Sequence, residues 1–304
     1  MVSILYLLLS TLGVGVSWAT PPADDAPAAR ASEPAPAETP ETAAEVRTAE
    51  DLLDRLEEVE DDLRTFEAGN VRYTTISELA GDMQQRIGSL IYDTGRDATG
   101  KRAGPRRFGL VFEGMRVGDR IDRSRGEEYV FDGRWLLEKR PQEKQAIRRE
   151  LVAPGDEFDP LAVGNSPFFV PIGQRKEEVL GRFEAELVEP GSGLRGDGPL
   201  SVLEHLRPFT EGTYQLRLTP RPGVADQLGG VEEIRIWYDR DTLLPTMAKV
   251  QDTDLDHQIV ELRQTRVNPD LPPDAFSTLP PPAGEGWDVQ IVEDRPRRRV
   301  GDGA

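Results

Sequence analysis

The chain has 304 residues, with 37 lysines and arginines against 55 aspartates and glutamates, so its net charge is −18. This length allows one large domain or two ordinary ones. The acidic balance argues against nucleic acid, which needs a basic surface, and against electrostatic docking on an anionic membrane. The lack of cysteine excludes disulfides, thiol nucleophiles and cysteine metal sites. With only two histidines, a His-rich zinc site or a serine triad is a poor fit.

The first 19 residues are typical of a secretory signal peptide. Residues 2–16 are almost entirely apolar, and Ser-Trp-Ala at 17–19 places small residues three and one before a cleavage point. The same span is nearly long enough to remain as an inner-membrane anchor, so a cleaved signal and a retained anchor both stay open. In either case the rest of the chain is predicted to be exported, which places it in the periplasm.

Three further regions follow the signal. Residues 20–47 are rich in alanine, proline and acids, which predicts a disordered linker. The folded domain is predicted over 48–292, and a disordered basic tail over 293–304. A helix is predicted from Thr48, because Thr48-Ala-Glu-Asp51 resembles a capping box. It either packs on a sheet or closes one end of a ligand cavity, and the apolar residues with helical spacing are Leu52, Leu53, Leu56, Val59, Leu63 and Phe66.

From residue 71 onward the pattern is that of β-strands. Alternation and turn residues predict strands at 71–76, 84–92, 106–115, 119–124, 127–131, 134–139, 144–151 and 182–188, another from Tyr214, and a three-stranded meander within 231–282. Apolar residues that share one face of their strand are Phe108, Leu110 and Phe112, then Tyr129 and Phe131, then Ile234, Ile236 and Tyr238. Sheets with one apolar and one polar face wrap around something.

An irregular segment interrupts the strands at 153–171. Phe168 and Phe169 stand between two prolines there, which suits a flap rather than a strand or helix. The two phenylalanines either plug the core or help to form a hydrophobic gate.

No spacing singles out a catalytic group. Carboxylates are abundant, but no pair is marked as an acid/base couple, and no phosphate loop, dinucleotide fingerprint or nucleophile elbow occurs. The alternating acids at 252–256 resemble a calcium loop, yet His257 stands where such a loop needs glycine, so a polar hairpin turn is favoured. The sequence therefore predicts a binding protein rather than an enzyme, with no cofactor and no metal.

Three segments, in this order behind an export signal, resemble the LolA-type lipoprotein carriers and their relatives. They are Tyr129-Val-Phe-Asp-Gly-Arg-Trp-Leu-Leu, Ile234-Arg-Ile-Trp-Tyr-Asp-Arg-Asp-Thr-Leu-Leu-Pro and Arg266-Val-Asn-Pro-Asp-Leu-Pro-Pro-Asp-Ala-Phe. The resemblance covers residues 48–292. It implies a mainly β (α+β) fold, in which a strongly curved antiparallel sheet forms a half-open β-barrel. A helical lid would cover this barrel, and an apolar cavity inside it would hold acyl chains.

The resemblance also implies a function. It points to a monomeric periplasmic carrier or chaperone that binds acyl chains of lipoproteins or lipids and transports them between membranes. Its protein partners would be an inner-membrane release complex and an outer-membrane acceptor. The alternative is an envelope sensor or interaction module of the same fold, which would bind lipid and a membrane-bound protein partner.

The predicted site follows from face parity and the resemblance together. The cavity would be lined by Phe108, Leu110, Phe112, Tyr129, Phe131, Ile234, Ile236 and Tyr238. Leu56, Val59 and Leu63 would form the helical cover, and Phe168 with Phe169 the flap. If the opposite face is concave, Trp237 lines the cavity instead. The arginine that contacts the lid in this family could correspond to Arg106, Arg107 or Arg116.

Overall fold

The computed structural model describes residues 46–153, 172, 175–196, 198–282 and 284–293. Within these ranges the helices are α1 (Ala49–Asp62), α2 (Lys176–Arg182) and the 3-10 helices Arg123–Arg125, Gly198–Thr210 and Ala225–Leu228. The strands are β1 (Thr65–Ser77), β2 (Asp82–Asp93), β3 (Arg107–Val117), β4 (Arg120–Asp122), β5 (Glu127–Phe131), β6 (Trp135–Arg140), β7 (Gln145–Glu150), β8 (Phe183–Val188), β9 (Thr213–Pro220), β10 (Val231–Asp239), β11 (Pro245–Asp252), β12 (Asp256–Val267) and β13 (Asp288–Val292). The chain is therefore mainly β, as its alternating pattern predicted.

All strands belong to one sheet. Its order is β13-β7-β6-β5-β3-β2-β1-β12-β11-β10-β9-β8, with β4 paired to the end of β3. Neighbours run antiparallel, except that β13 adds to β7 in parallel. The two ends of the order, β13 and β8, do not pair with each other among the described residues. The sheet is thus curved and not closed, which confirms the predicted half-open barrel architecture.

Helix α1 begins as its sequence dictates. The Thr48 hydroxyl accepts a hydrogen bond from the Asp51 backbone N–H at 3.0 Å, and the Asp51 carboxylate accepts one from the Thr48 N–H at 2.9 Å. This is the predicted capping box. The helix ends at Asp62, however, so the helical spacing was wrong for its last two members. Leu63 is the C-cap, and Phe66 is a fully buried residue of β1.

Asn268 explains why the helix stops there. Its side-chain oxygen accepts hydrogen bonds from the backbone N–H groups of Arg64 and Thr65, at 2.7 and 3.2 Å, and its amide donates to the Asp62 carbonyl at 3.0 Å. Its own φ of 51° is one that asparagine tolerates better than most residues. These bonds direct the chain out of the helix and into β1, beside β12.

Buried apolar side chains form two clusters on opposite faces of the sheet. The interior cluster contains the apolar side chains of α1 together with residues of ten strands. The outer cluster comprises Ile76, Leu194, Leu203, Leu206, Trp237, Met247 and Ile259. It lies partly beneath the 3-10 helix Gly198–Thr210, which supplies Leu203 and Leu206. Along β10 the two faces alternate: Ile236 and Tyr238 belong to the interior cluster, and Trp237 to the outer one.

The interior cluster lies on the concave face. The Glu60 carboxylate of α1 is 3.4 Å from the guanidinium of Arg106, next to β3, and the same helix contacts β8. In the sheet order β3 and β8 are seven steps apart, which would be about 34 Å in a flat sheet, whereas α1 with its 14 residues is about 21 Å long. One helix reaches both strands because the sheet curves around it.

Candidate functional site

The interior cluster contains all eight residues predicted to line a cavity. Tyr129 is half-buried and packs against the cluster, and the other seven are between 1% and 4% exposed. These seven are Phe108, Leu110, Phe112, Phe131, Ile234, Ile236 and Tyr238. The structure therefore gathers on one concave face the residues that the sequence distributes over three strands.

An aromatic seam runs through the middle of this face. The ring of Phe112 lies 5.8 Å from that of Tyr73 and 6.3 Å from that of Tyr129, the latter edge-on, while Phe108 and Phe131 are 5.9 Å apart. Such tilted and edge-on pairs are favourable beyond the area that they bury. The seam joins β1, β3 and β5, so it holds the central strands in register.

Gly88 permits the close approach of β2 and β3 at this seam. It pairs with Phe112, directly beside a register shift in the strand pair. A Cβ atom on Gly88 would lie 1.8 Å from the backbone carbonyl oxygen of Val111, closer than any real contact. Backbone cannot swing aside as a side-chain tip can, so only glycine fits.

Replacing Gly88 with alanine is expected to lower the free energy of unfolding by about 1–3 kcal/mol, the usual cost of overpacking. Urea denaturation would measure the loss. Gly181→Ala in α2 is the matched control, since a Cβ there meets nothing within 4 Å and alanine favours a helix. Equal stability of the Gly88 variant and the wild type would contradict the tight approach.

Helix α1 packs its apolar side on the interior cluster. Leu56 and Val59, two of the predicted cover residues, are partly buried against it, and Leu63 is buried just beyond the helix end. The deepest contacts come from Leu52 and Leu53, which are essentially inaccessible to water. Sequence reasoning placed these two on the apolar side of the helix but not among the site residues.

One buried ion pair joins α1 to the sheet. The side chains of Arg106 and Glu60 are 6% and 11% exposed and 3.4 Å apart. Of the three arginines that the sequence left open, Arg106 is thus the one that contacts the helix. Arg107 instead pairs with Asp93 and stacks over Phe276 with its guanidinium 4.7 Å from the ring centroid. Arg116 is exposed to solvent.

Other ion pairs of α1 lie at the surface. The Lys176 ammonium group contacts both carboxylate oxygens of Asp54 at 2.7 Å, and its backbone N–H donates to Glu57 at the same distance. Arg96 lies 2.9 Å from Asp61. Exposed pairs of this kind contribute little stability. The buried apolar contacts and the Arg106–Glu60 pair therefore dominate the attachment of the helix.

Burial shapes the protonation of the polar groups that face this cluster. It raises the pKa of Glu60, while the nearby Arg106, Arg96 and Arg175 act in the opposite direction. Burial also raises the pKa of Tyr238, and the neighbouring Glu60 adds to the effect. The pKa of Tyr129 is raised by burial and by Glu127, to which its hydroxyl donates a hydrogen bond at 2.9 Å.

The remaining sequence predictions concern Trp237, the two flap phenylalanines, metal binding and membrane spans. Trp237 lies on the convex face, where its indole N–H donates to the Pro190 carbonyl at 2.7 Å. Phe168 and Phe169 lie outside the described residues. Within the described ranges, no three histidine or acidic side chains are grouped to hold a metal, and no helix is long and apolar enough to cross a membrane.

Two polar features were not found from the sequence. His257 is buried on the outer face, with its Nε2 2.6 Å from Glu78. A cleft lined by arginines of three separate segments opens beside Phe112 and Tyr129. Neither has a local sequence signal, because the residues meet only through strand pairing.

Known structures similar to this chain share low sequence identity with it. A LolA superfamily protein of Nitrosomonas europaea is 13% identical, with 76% of this chain and 98% of that one covered and a TM-score of 0.32. LprF of Mycobacterium bovis is 12% identical, with 75% and 97% covered and a TM-score of 0.38. The MucA/MucB complex of Pseudomonas aeruginosa matches at 15% identity, with 75% and 60% covered and a TM-score of 0.37. No protein-family model and no curated protein matches. LolA superfamily proteins are thus among the structures that this chain resembles.

Proposed function

We propose that the chain is a periplasmic carrier that shields acyl chains of lipids or lipoproteins on its concave face. The observation that supports this most directly is the interior cluster. It is a continuous apolar surface drawn from ten strands, and helix α1 packs on it. A surface of this size suits an extended apolar ligand better than a small polar substrate.

The energetics favour such a ligand. Burial of one methylene group contributes about 0.8 kcal/mol, so a long acyl chain could contribute on the order of 10 kcal/mol before ordering costs. No single side chain supplies that much. The binding site must therefore be a broad apolar face, which is what the interior cluster provides.

Helix α1 would act as the lid. Residues of the interior cluster are almost out of reach of water, so an acyl chain must displace something to reach them. The helix could move as a unit, because it belongs to no sheet and one buried ion pair joins it to Arg106. Its departure would expose the part of the interior cluster that it covers while leaving every strand pair intact.

Glutamate substitutions on the concave face test this function. Phe112→Glu and Ile236→Glu are each expected to abolish binding of a fluorescent acyl probe, because a buried charge cannot share an apolar site with a hydrocarbon chain. Circular dichroism should remain native. Leu279→Glu is the control, since Leu279 is 75% exposed and should leave probe binding unchanged. Native spectra with retained probe binding in both concave-face variants would contradict the proposal.

Lipids that copurify with the protein provide a second test. Mass spectrometry of the native protein should recover lipids with long acyl chains. Failure to recover any from several preparations would favour a module that binds only protein. The mature N-terminus is informative in the same sample, since cleavage before Thr20 would suit a mobile carrier and an intact Met1 an anchored protein.

A further inference from the structure

A polar cleft of about 230 Å³ opens at one end of the interior cluster. Three arginines line it: Arg86 of β2, Arg125 of the short 3-10 helix after β4, and Arg140 at the end of β6. Two carboxylates, Glu127 and Glu143, line it as well. A chain with a large excess of acids thus presents here a pocket in which cations outnumber anions.

The cleft adjoins the interior cluster directly. The guanidinium of Arg86 lies 5.8 Å from the centroid of the Phe112 ring, and the hydroxyl of Tyr129 donates to Glu127 at 2.9 Å. Phe112 and Tyr129 are the end of the aromatic seam on this side. A ligand with its apolar part on the seam would therefore have its polar end in the cleft.

The arginines of the cleft are only loosely paired. Glu127 is 3.7 Å from both Arg86 and Arg140, which is beyond hydrogen-bond distance. Arg125 lies 3.3 Å from Asp122 and donates to the sulfur of Met115 at 3.3 Å. Each guanidinium has five N–H donors. Many of these N–H groups therefore have only weak partners in the cleft.

We infer that this cleft binds the headgroup of a zwitterionic phospholipid, with the phosphate on the arginines and the ammonium group on Glu127 and Glu143. Guanidinium groups match phosphate oxygens in geometry and charge. The two carboxylates would repel a purely anionic headgroup, whereas they complement a cation next to the phosphate. The inference rests on the proposed function and narrows it to a class of lipid.

Three single-chain lipids with the same acyl group separate the contributions. They are lysophosphatidylethanolamine, which carries phosphate and ammonium, lysophosphatidylglycerol, which carries phosphate alone, and monoacylglycerol, which carries neither. Each would compete with a fluorescent acyl probe on the full-length protein. We expect the highest affinity for lysophosphatidylethanolamine, a lower one for lysophosphatidylglycerol and the lowest for monoacylglycerol.

Substitutions then assign the residues. In the double variant Arg86→Gln/Arg140→Gln, the affinity for lysophosphatidylethanolamine should fall by about tenfold or more, since bonds to charged groups are lost. Its affinity for monoacylglycerol should not change. Glu127→Gln should reduce the preference for lysophosphatidylethanolamine over lysophosphatidylglycerol, since it leaves Glu143 as the one carboxylate of the pair. The exposed pair Arg116→Gln/Arg120→Gln is the control with the same change in charge, and it should behave as the wild type.

The outcomes separate this inference from the proposed function. Equal affinity of the wild type for all three lipids would overturn the headgroup site and leave the acyl-binding function intact. Equal weakening of all three lipids in the arginine double variant would also overturn it, because the arginines would then support the fold and not the headgroup. If none of the three lipids displaces the acyl probe, the proposed function is overturned together with the inference.

Discussion

The Trp237→Ala variant is expected to lose about 3–5 kcal/mol of the free energy of unfolding, the usual range for removal of a buried aromatic side chain. Trp237 is fully buried in the outer cluster, and its indole N–H is bonded to the Pro190 carbonyl. The variant therefore leaves a cavity and also loses a bond that ties the segment leading to Gly198–Thr210 to the sheet. Urea denaturation followed by circular dichroism would measure the change.

Two comparisons give this prediction its specificity. Trp237→Phe keeps most of the packing, so its free energy of unfolding should fall much less. About 1 kcal/mol of that smaller loss would come from the missing hydrogen bond. Trypsin should cleave Trp237→Ala faster at Arg195 than it cleaves the wild type. Acyl-probe binding should persist, since Trp237 faces away from the interior cluster. Loss of probe binding with a native spectrum would show that the two faces have been assigned the wrong way round.

The Arg106→Met variant is the second large effect, with an expected loss of about 3–5 kcal/mol at neutral pH. The change leaves the Glu60 carboxylate facing an apolar cluster without its nearest cation. The helix can relieve this by leaving the sheet, so the variant should bind an acyl probe faster as well as being less stable. Stopped-flow fluorescence and urea denaturation would record the two effects.

A double variant supplies the control. Arg106→Met with Glu60→Leu replaces the pair by apolar groups of similar size, which is often neutral or stabilising. It should regain the lost stability and hold α1 closed, so that lipid exchange becomes slower than in the wild type. A double variant as unstable as Arg106→Met alone would show that the pair is not what holds the helix.

The pH dependence of stability provides an independent check on Glu60. Burial is the main cause that raises the pKa of this group above its ordinary value of 4.5. The folded chain therefore holds the proton at a pH where the unfolded chain has released it. The contribution of Glu60 to stability falls as pH rises from about 4.5 towards the raised pKa. Glu60→Gln should remove this part of the slope, and an unchanged slope would contradict the assignment.

The strands and their faces could be predicted because period-two alternation is a local property. The eight residues from Phe108 to Tyr238 were assigned to one surface, and they share one cluster. The capping box at Thr48 was predicted for the same reason, since all its partners are within four positions. The helical spacing of Phe66 predicted wrongly that this residue belongs to the helix. Asn268, two hundred residues away, binds the backbone at Arg64, so the helix ends before Phe66.

Long-range pairing explains what local patterns could not show. The parallel addition of β13 to β7 and the selection of Arg106 over its neighbours depend on contacts that no short window contains. The arginine cleft is another example. A register shift beside Gly88 changes which residues of β3 lie opposite β2, so Met115 comes to pair with Arg86. Simple alternation along β3 would not have placed these two side by side.

The pairing of β1 with β12 also bears on how the chain folds. Every other antiparallel neighbour in the described sheet, except β3 with β5 across the short β4, joins strands consecutive in the chain, whereas this pair joins residues about two hundred positions apart. Folding rates fall as such distant contacts come to dominate. The two halves of the sheet cannot merge until synthesis has reached β12. A nascent chain would meanwhile remain open enough to be threaded through a secretion channel, in keeping with the export that its first 19 residues predict.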